Sequence, residues 1–200
     1  MIFVTVGTQL PFDRMVRAVD EWAGSPGRGA DVFAQIGPGG YLPRHLRWAR
    51  FLGADACNDL VLRSRAVVAH AGMGSILTAL QLGKPILVMP RRGELGEHRN
   101  DHQVATARQF LAQGRVHVAF DEAELRRHLD GLEALPPGPR ISTEASPALV
   151  AALRRFASEP REPAPRLPLP RLPWPRLPWP ARPAVGVPAD RDLAHSHAHV

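Results

Sequence analysis

The sequence predicts an α/β fold, with a parallel sheet covered by helices on both faces, followed by a proline-rich tail. Short apolar runs recur along the chain and predict buried strands: residues 2–6, 31–36, 66–69, 86–89 and 115–119. Amphipathic segments separate these runs, and such alternation is typical of parallel sheets. Glycine-rich turns follow several strands, so we expect a ligand site at the carboxyl edge of the sheet.

The first half of the domain supplies two firm strands and one helix. Residues 2–6 end at Gly7, and Pro11 begins a helical pattern. The apolar side chains of that helix share one face because they recur at helical spacing: Phe12, Met15, Val16 and Val19. The strand at 31–36 ends in a Gly-Pro-Gly-Gly segment that a helix does not tolerate, and a weak strand follows near 48–52.

The second half repeats strand–helix pairs. Gly83 ends one helix and Pro85 prevents its continuation. Asp121 is a predicted N-cap, with Glu124 as its capping-box partner. We expect helices over the following segments: 57–64, 76–82, 101–112, 121–132 and 146–156.

Composition limits the classes of protein to which the chain can belong. The net charge is +6 and Lys84 is the only lysine, so nearly all positive charge is arginine. Basic residues are dispersed, which favours solvated charge and attraction to a membrane surface over nucleic-acid binding. Cys57 is the only cysteine, which excludes a disulfide framework and a four-thiolate zinc site. No apolar stretch approaches the ~20 residues of a membrane span, and residues 1–6 lack signal-peptide features. We therefore expect a cytoplasmic protein.

The tail differs from the domain before it. We predict a globular domain over residues 1–157 and a disordered Pro/Arg-rich tail over 158–200. Three copies of an Arg-Leu-Pro-Leu/Trp-Pro unit begin at residues 166, 171 and 176, and proline at alternate positions prevents helix and central strand. The repeat is either a docking or membrane-interface segment or a low-complexity extension without a specific role, and we favour the second.

The strongest candidate for chemistry is the His-Ala-Gly-Met-Gly-Ser turn at residues 70–75, between a strand and a helix. Gly72 and Gly74 let the backbone approach a ligand, and the helix start offers free N–H groups to an anion. Ser75 can cap the helix or donate to a phosphate, and His70 can contact a phosphate or sugar oxygen. Close packing of helix on sheet explains the glycines equally well.

Two further turns follow strands and should face the same crevice. Residues 90–103 are rich in groups suited to binding hydroxyls, namely Glu97, Asp101, His102 and Gln103; a solvated surface loop is the alternative. His98 and His102 have metal-pair spacing, but no third ligand is near, so we predict no metal site. The turn at Gly7 and Thr8 presents a hydroxyl that either faces phosphate or caps a helix.

These motifs together resemble the C-terminal donor-binding domain of glycosyltransferase family 28. The resemblance rests on residues 68–76, on Gly-Lys-Pro at 83–85 and on residues 97–103, and it is closest to the short stand-alone subunits of the family. The opening segment 3–14 resembles the bacterial exopolysaccharide subunits in particular. The resemblance extends from Met1 to about Phe156, in the order and spacing of the motifs, and does not include the tail.

The resemblance implies the Rossmann-like C-terminal half of a GT-B enzyme. It places a donor diphosphate against the first turn and the His-Ala-Gly loop, with His70 as the catalytic residue: Gly7, Thr8, His70, Gly72, Gly74 and Ser75. It assigns the sugar hydroxyls to Asp101, His102 and Gln103, and uracil to backbone groups near residues 51–52. Thr78 occupies the position of the family's ribose-binding glutamate, which leaves the ribose to Glu97 or to a backbone group.

The resemblance also implies a reaction and partners. The expected activity is inverting transfer of a hexose or uronic acid from a UDP-sugar to a polyprenyl-diphosphate-linked acceptor, in exopolysaccharide or glycan synthesis, without a cofactor or metal. A membrane-anchored subunit would bind the acceptor at the inner face of the cytoplasmic membrane, where it would hold this chain peripherally; no nucleic acid is involved. The alternative is a non-catalytic nucleotide-sugar-binding or activating subunit. A dinucleotide-binding oxidoreductase is excluded because no Gly-x-Gly-x-x-Gly follows the first strand.

Overall fold

The computed structural model describes residues 1–158, apart from the side chain of Glu133. The predicted tail, except Ser158, lies outside the described residues. Six strands form one parallel sheet in the order β3-β2-β1-β4-β5-β6. Their bounds are β1 Ile2–Thr5, β2 Val32–Gln35, β3 Arg47–Ala49, β4 Ala66–His70, β5 Ile86–Met89 and β6 His117–Val118. The predicted α/β class with a parallel sheet is confirmed.

Six α-helices follow or precede these strands: α1 Asp13–Ala23, α2 Ala54–Arg63, α3 Met73–Gln81, α4 His102–Ala112, α5 Glu122–Asp130 and α6 Pro147–Ser158. Two of them begin three residues earlier than predicted, α2 at Ala54 and α3 at Met73. Short 3₁₀ turns at Gly29–Asp31, Gly93–Leu95 and Leu132–Ala134 were not predicted. The early start of α3 brings the glycine-rich turn into the first turn of a helix.

The strand order reverses between β1 and β4. From β1 the chain builds outward to β2 and β3, and from β4 it builds outward to β5 and β6 on the other side. Thr5, at the end of β1, is paired with Gln35 on one side and with Ala69 on the other. Loops leaving β1 and β4 therefore diverge to opposite faces, which opens a crevice at this point of the carboxyl edge.

Alternation of side chains along the strands gives two apolar layers. One layer packs Ile2, Val4 and Val68 under α1 and α5. The other packs Phe3 and Val67 under α2, α3 and α4. Both faces of the sheet are thus covered, as the continuous apolar strands predict.

The predicted cap of α5 is confirmed with one difference. Asp121 accepts a hydrogen bond from the Glu124 N–H at 2.8 Å. Glu124 reaches back to the Phe120 N–H, also at 2.8 Å, rather than to the N–H of Asp121. Two N–H groups at the helix start are satisfied in this way.

Asp20 is the most deeply buried acidic side chain of the first layer, with no exposed surface. Its carboxylate accepts from the Arg44 and His45 N–H groups and from the Tyr41 hydroxyl, at distances between 2.7 and 3.0 Å. Although burial opposes it, these bonds hold the pKa of Asp20 below its ordinary value. The carboxylate fixes the loop that leads from β2 to β3.

Residues Met1–Leu153 form one compact unit. None of the helices in residues 1–158 combines the length and the apolar character that crossing a bilayer requires. Helix α6 has no buried residue. The site described below is built within the compact unit alone.

Candidate functional site

A cavity of about 610 Å³ lies at the carboxyl edge, where the strand order reverses. Its walls come from the loop after β1, the loop after β4 with the start of α3, and the loop between β5 and α4. All the predicted diphosphate-binding residues line it: Gly7, Thr8, His70, Gly72, Gly74 and Ser75. The structure therefore brings the glycine-rich turns after β1 and β4 together, as expected for loops at a switch point.

Two buried polar side chains form the floor. The Thr5 hydroxyl donates to Gln35 Oε1 at 2.7 Å and accepts from the Gly7 N–H at 3.1 Å. Gly7 has a φ of +76°, a conformation that favours glycine. This bond network fixes the turn that leaves β1 before any ligand arrives.

The His70 ring lies between two glycines. A Cβ atom at Gly7 would lie 2.8 Å from His70 Cε1, and one at Gly72 would overlap His70 Nε2. Both glycines are therefore needed to seat the imidazole, whatever their role toward a ligand.

Burial, with the nearby Arg91 cation, lowers the pKa of His70 to about 4, although a hydrogen bond to the Thr5 backbone opposes the shift. The ring is therefore neutral at physiological pH. Its Nδ1 atom is buried and has no hydrogen-bond partner. A neutral imidazole keeps one ring nitrogen as a hydrogen-bond donor and the other as an acceptor.

The start of α3 faces the cavity without a side-chain cap. Gly72 is the N-cap residue and no side chain accepts from the first turn. The unsatisfied N–H groups there attract an anion, as helix N-termini do. Gly74 is helical, without a positive φ, and a Cβ atom there would meet nothing within 4 Å. Close packing on the sheet therefore does not explain Gly74.

The loop between β5 and α4 supplies the third wall. His98, His102 and Gln103 line the cavity, and the two imidazole rings meet edge to face with centroids 4.3 Å apart. Burial and the neighbouring His102 hold the pKa of His98 below its ordinary value. Like His70, His98 has a buried Nδ1 atom without a partner. Gln103 accepts from the Arg91 N–H at 3.2 Å, which leaves its amide NH₂ group for a ligand.

The structure does not bring Glu97 and Asp101 to the cavity, contrary to their prediction as substrate-binding residues. Both carboxylate oxygens of Glu97 are taken by Arg14, at 2.6 and 2.9 Å, and one of them also accepts from the Arg92 N–H. Asp101 accepts from the Gly93 N–H at 2.7 Å. Both carboxylates stabilise the loop itself, and Glu97 is therefore not free to hold a ribose.

Thr78, at the position of the family's ribose-binding glutamate, does line the cavity. Leu52, Cys57 and Asn58 line the same cavity, beside the segment predicted to hold uracil. Burial raises the pKa of the Cys57 thiol, so this apolar wall holds an uncharged side chain. Phe51 is 53% exposed and is not part of the lining.

The charge of the cavity is one-sided. Among the described residues that line it there is no Asp or Glu, whereas Arg91 and three histidines do line it. In residues 1–158 no group of three or more His, Cys, Asp or Glu side chains is placed to hold a metal ion. The arrangement suits an anionic ligand.

Three residues that line the cavity are not among the predicted site residues: Thr5, Gln35 and Arg91. Each is a polar residue at or just after the end of a buried strand. That position is itself a signal, because a polar side chain at a strand end is unusual unless something satisfies it. For Thr5 and Gln35 the partner is the other side chain.

The part of the chain that carries this cavity resembles a known protein family. The family described as "Glycosyltransferase family 28 C-terminal domain" matches residues 1–137. The human "UDP-N-acetylglucosamine transferase subunit ALG13" is 29% identical over 124 residues, which span 58% of this chain and 10% of the human protein. The protein of the same name from Cryptococcus neoformans var. neoformans serotype D is 45% identical over 65 residues, or 32% of this chain and 30% of that protein.

The solved structures that match the chain include a solution NMR structure of ALG13 and the crystal structure of the calicheamicin glycosyltransferase CalG4. The first gives a TM-score of 0.49 at 18% identity and covers 78% of this chain and 93% of that chain. The second gives a TM-score of 0.48 at 19% identity and covers 66% and 34%.

Proposed function

The chain belongs to the family of the glycosyltransferase family 28 C-terminal domain, and from this premise we propose that it is the donor-binding subunit of an inverting, UDP-sugar-dependent transferase. It would transfer a hexose or a uronic acid to a lipid-linked oligosaccharide. The proposal rests mainly on one observation: a cavity at the switch point whose described lining contains no carboxylate and includes an uncapped helix start and His70.

The charge and the donors of the cavity support a diphosphate ligand. Free N–H groups at the start of α3 are fixed in place, and backbone donors of this kind stabilise negative charge on a leaving group. In the proposed reaction the acceptor hydroxyl gives its proton to a base on the partner subunit and attacks the anomeric carbon, while the bond to the diphosphate breaks and UDP leaves with the bonding electrons. The chain would stabilise the departing diphosphate through the turns at Gly7 and Thr8 and at Gly72 to Ser75.

His70 is the proposed catalytic residue. Because its ring is neutral, one ring nitrogen would serve as an acceptor for a ligand hydroxyl. If that nitrogen takes up a proton, it donates to a phosphate oxygen instead. Either role keeps His70 at the reacting centre, and the pH dependence described below separates them.

The sugar of the donor would lie against His98, His102 and Gln103. Neutral imidazole and amide N–H groups donate to hydroxyl or carboxylate oxygens. Because no carboxylate of the lining would repel it, a uronic acid is the donor sugar that we favour. A neutral hexose is the alternative donor sugar, because no residue of the described lining excludes it.

We further propose that the acceptor is bound by a different subunit. The relatives above are named as transferase subunits, and the family that matches is a C-terminal domain. A membrane-anchored partner would present a polyprenyl-diphosphate-linked acceptor in exopolysaccharide or glycan synthesis. This chain would then be peripheral at the inner face of the cytoplasmic membrane. Residues 1–157 would act as the transferase domain, and residues 158–200 as a dispensable tail.

A non-catalytic nucleotide-sugar-binding subunit is the alternative. The two functions differ in what His70 does. In a catalytic subunit, His70→Asn should abolish transfer by the complex even at UDP-sugar concentrations that saturate the variant. In a purely activating subunit, the same change should leave transfer close to normal.

The proposed function is tested by co-expression with a membrane-anchored partner. The chain alone should bind UDP but transfer little or no sugar to a lipid-linked acceptor. Co-expression should give transfer, and a chain truncated after Ala157 should retain most of it. Full transfer by the single chain would contradict the split-enzyme proposal, and loss of transfer on truncation would assign a function to the tail.

A further inference from the structure

Arg91 is a buried cation at the wall of the cavity. Only 2% of its surface is exposed, and it lines the cavity directly after β5 and Pro90. Burial lowers the pKa of Arg91 below its ordinary value, yet an arginine stays protonated at physiological pH. A full positive charge is therefore held inside the site.

The guanidinium bonds to backbone carbonyls of the loop after β1. Its Nη2 group donates to the Val6 carbonyl at 2.8 Å and to the Leu10 carbonyl at 2.7 Å. Its Nη1 group donates to the Pro11 carbonyl at 2.5 Å. A side chain that follows β5 thus ties down the loop that carries Gly7 and Thr8 on the opposite wall.

Among the described residues no carboxylate forms an ion pair with this guanidinium, although the Glu97 carboxylate, which is paired with Arg14, favours the charged form at longer range. The Glu97 group nearest to it is the main-chain carbonyl, 3.5 Å from Nη1. Leaving a buried charge without a counter-charge is costly unless something compensates it. Carbonyl dipoles compensate only part of that cost.

Arg14 provides an internal contrast. Both Arg14 and Arg91 lie over the Phe12 ring, at 5.4 and 4.9 Å from its centroid. Arg14, however, forms a bidentate ion pair with Glu97 and is absent from the cavity lining. Both arginines lie over the Phe12 ring. Arg14 is paired with a carboxylate, whereas Arg91 lines the cavity and forms no ion pair among the described residues.

We propose that Arg91 is a positioning residue of the donor site that also supplies its positive potential, so that the anionic part of the bound donor becomes its missing counter-ion. The inference rests on the proposed function, since it needs a phosphate-bearing ligand. It adds a role that backbone N–H groups do not fill: loop order and ligand charge are coupled through one side chain. The Arg91 cation also lowers the pKa of His70, which lines the same cavity.

The test compares ligands with and without phosphate on the full-length chain. Calorimetry would measure binding of UDP and of uridine to the wild type and to Arg91→Met, Arg91→Lys and Arg14→Met. Arg91→Met should weaken UDP binding by about 10- to 100-fold, as expected for a charge lost from a partly screened site, and should change uridine binding by no more than about twofold. Arg91→Lys keeps the charge but not the fork of donors, so it should restore most of the preference for UDP.

Arg14→Met is the matched control. It removes a comparable side chain from the same aromatic ring and leaves Glu97 unpaired, so it should lower the melting temperature. The ratio of UDP to uridine affinity should stay close to that of the wild type.

The outcomes separate the two proposals. If wild-type chain binds UDP but Arg91→Met weakens UDP and uridine equally, or weakens neither, Arg91 is only structural and the inference is overturned. If Arg91→Met does not fold, Arg91→Lys decides the question. If that variant binds UDP no more tightly than it binds uridine, the inference is overturned as well. If the wild type binds no UDP at all, the proposed function itself fails.

Discussion

The two edges of the sheet treat their polar groups in opposite ways. At the amino edge, Asp31 pairs with the amino group of Met1 at 2.9 Å and with Arg65. At the carboxyl edge, among the described residues, His70 Nδ1 has no hydrogen-bond partner and Arg91 forms no ion pair with a carboxylate. Both edges border a cavity, of about 530 and 610 Å³ respectively, so size does not distinguish them.

This difference shows which cavity is built for a ligand. Buried polar groups in folded proteins are nearly always satisfied, so exceptions need a reason. The amino edge satisfies its charges internally, as Asp130 does by accepting from Trp22 Nε1 at 2.9 Å and pairing with Arg28 at 2.7 Å. The carboxyl edge leaves acceptors, donors and one cation to be satisfied by something that binds.

The largest effect is expected from Gly72→Ala, which would break the carboxyl edge. Its Cβ atom would overlap His70 Nε2, so the imidazole must leave its position between the two glycines. We expect UDP affinity to fall more than about 100-fold, with about 1–3 kcal/mol lost from the free energy of unfolding. Calorimetry and denaturant unfolding measure the two effects.

Gly74→Ala is the matched control, since its Cβ atom meets no protein atom within 4 Å. It should gain up to about 1 kcal/mol of stability from better helix propensity. Gly74→Val tests the space reserved for the ligand, and should lose UDP binding without unfolding. Normal UDP binding by Gly72→Ala would mean that His70 is not part of the site.

Second in size is the pH dependence due to His70. An unfolded histidine has a pKa near 6.5, whereas in the fold the pKa of His70 is about 4. Between these values the unfolded chain binds a proton that the folded chain does not, so stability falls as pH decreases. The loss should approach about 3 kcal/mol at pH 4. Urea unfolding of wild type and His70→Gln between pH 4 and 8 measures it.

The difference between the two unfolding curves isolates His70 from other groups. An equal pH slope in both proteins would show that His70 is not held neutral by the fold. The same series tests the chemical role of the nitrogen. If Nδ1 meets a phosphate, UDP affinity should rise as pH decreases through the range in which the complex takes up a proton; if it meets a hydroxyl, affinity should not rise.

A smaller effect is expected from the donor sugar. We predict that UDP-glucuronate binds about fivefold more tightly than UDP-glucose, the gain of one partly exposed charge-assisted contact. His102→Gln should reduce this preference while leaving UDP binding unchanged. Competition calorimetry at pH 6 and 8 measures the ratio, and a preference for UDP-glucose in the wild type would favour the hexose.

The smallest effect is expected at the amino edge. A hydrogen bond from the terminal amino group, together with Arg65, holds the pKa of Asp31 below its ordinary value, so stability from this group is lost as pH falls through that lowered value. Because the Asp31 side chain is 49% exposed, Asp31→Asn should cost only about 0.5–1 kcal/mol at neutral pH. UDP affinity should not change. A change in UDP affinity of more than a few-fold would contradict the distinction between the two edges.

Much of this architecture could be predicted from local signals. Apolar runs and glycine stops identified the strands, and Asp121 with Glu124 identified the start of α5, because each signal acts over a few residues. The predicted turns after β1 and β4 meet in one cavity for a topological reason: the carboxyl ends of parallel strands lie on one edge of the sheet. The start of α3 was placed too late because Gly72 and Gly74 suggest a loop, while the packing of Ile76 and Leu80 on the sheet extends the helix back to Met73.

The direction of individual side chains could not be predicted in the same way. Glu97 lies in the expected loop, but Arg14 lies 83 positions earlier in the chain and takes both of its oxygens. Arg91 was overlooked because its partners are carbonyls of a distant loop, which leave no pattern in the sequence. Composition indicated a basic protein, whereas the local balance of charge at the cavity depends on which side chains turn away from it.

The most direct test of the donor-binding account is a comparison of nucleotides on the full-length chain. Calorimetry with UDP, AMP and NAD should give tightest binding for UDP, because the cavity combines a phosphate-facing helix start with a single base-sized apolar wall. Gly72→Ala should abolish that binding and Asp31→Asn should preserve it. Binding of NAD as tight as that of UDP, or UDP binding that survives Gly72→Ala unchanged, would contradict the account.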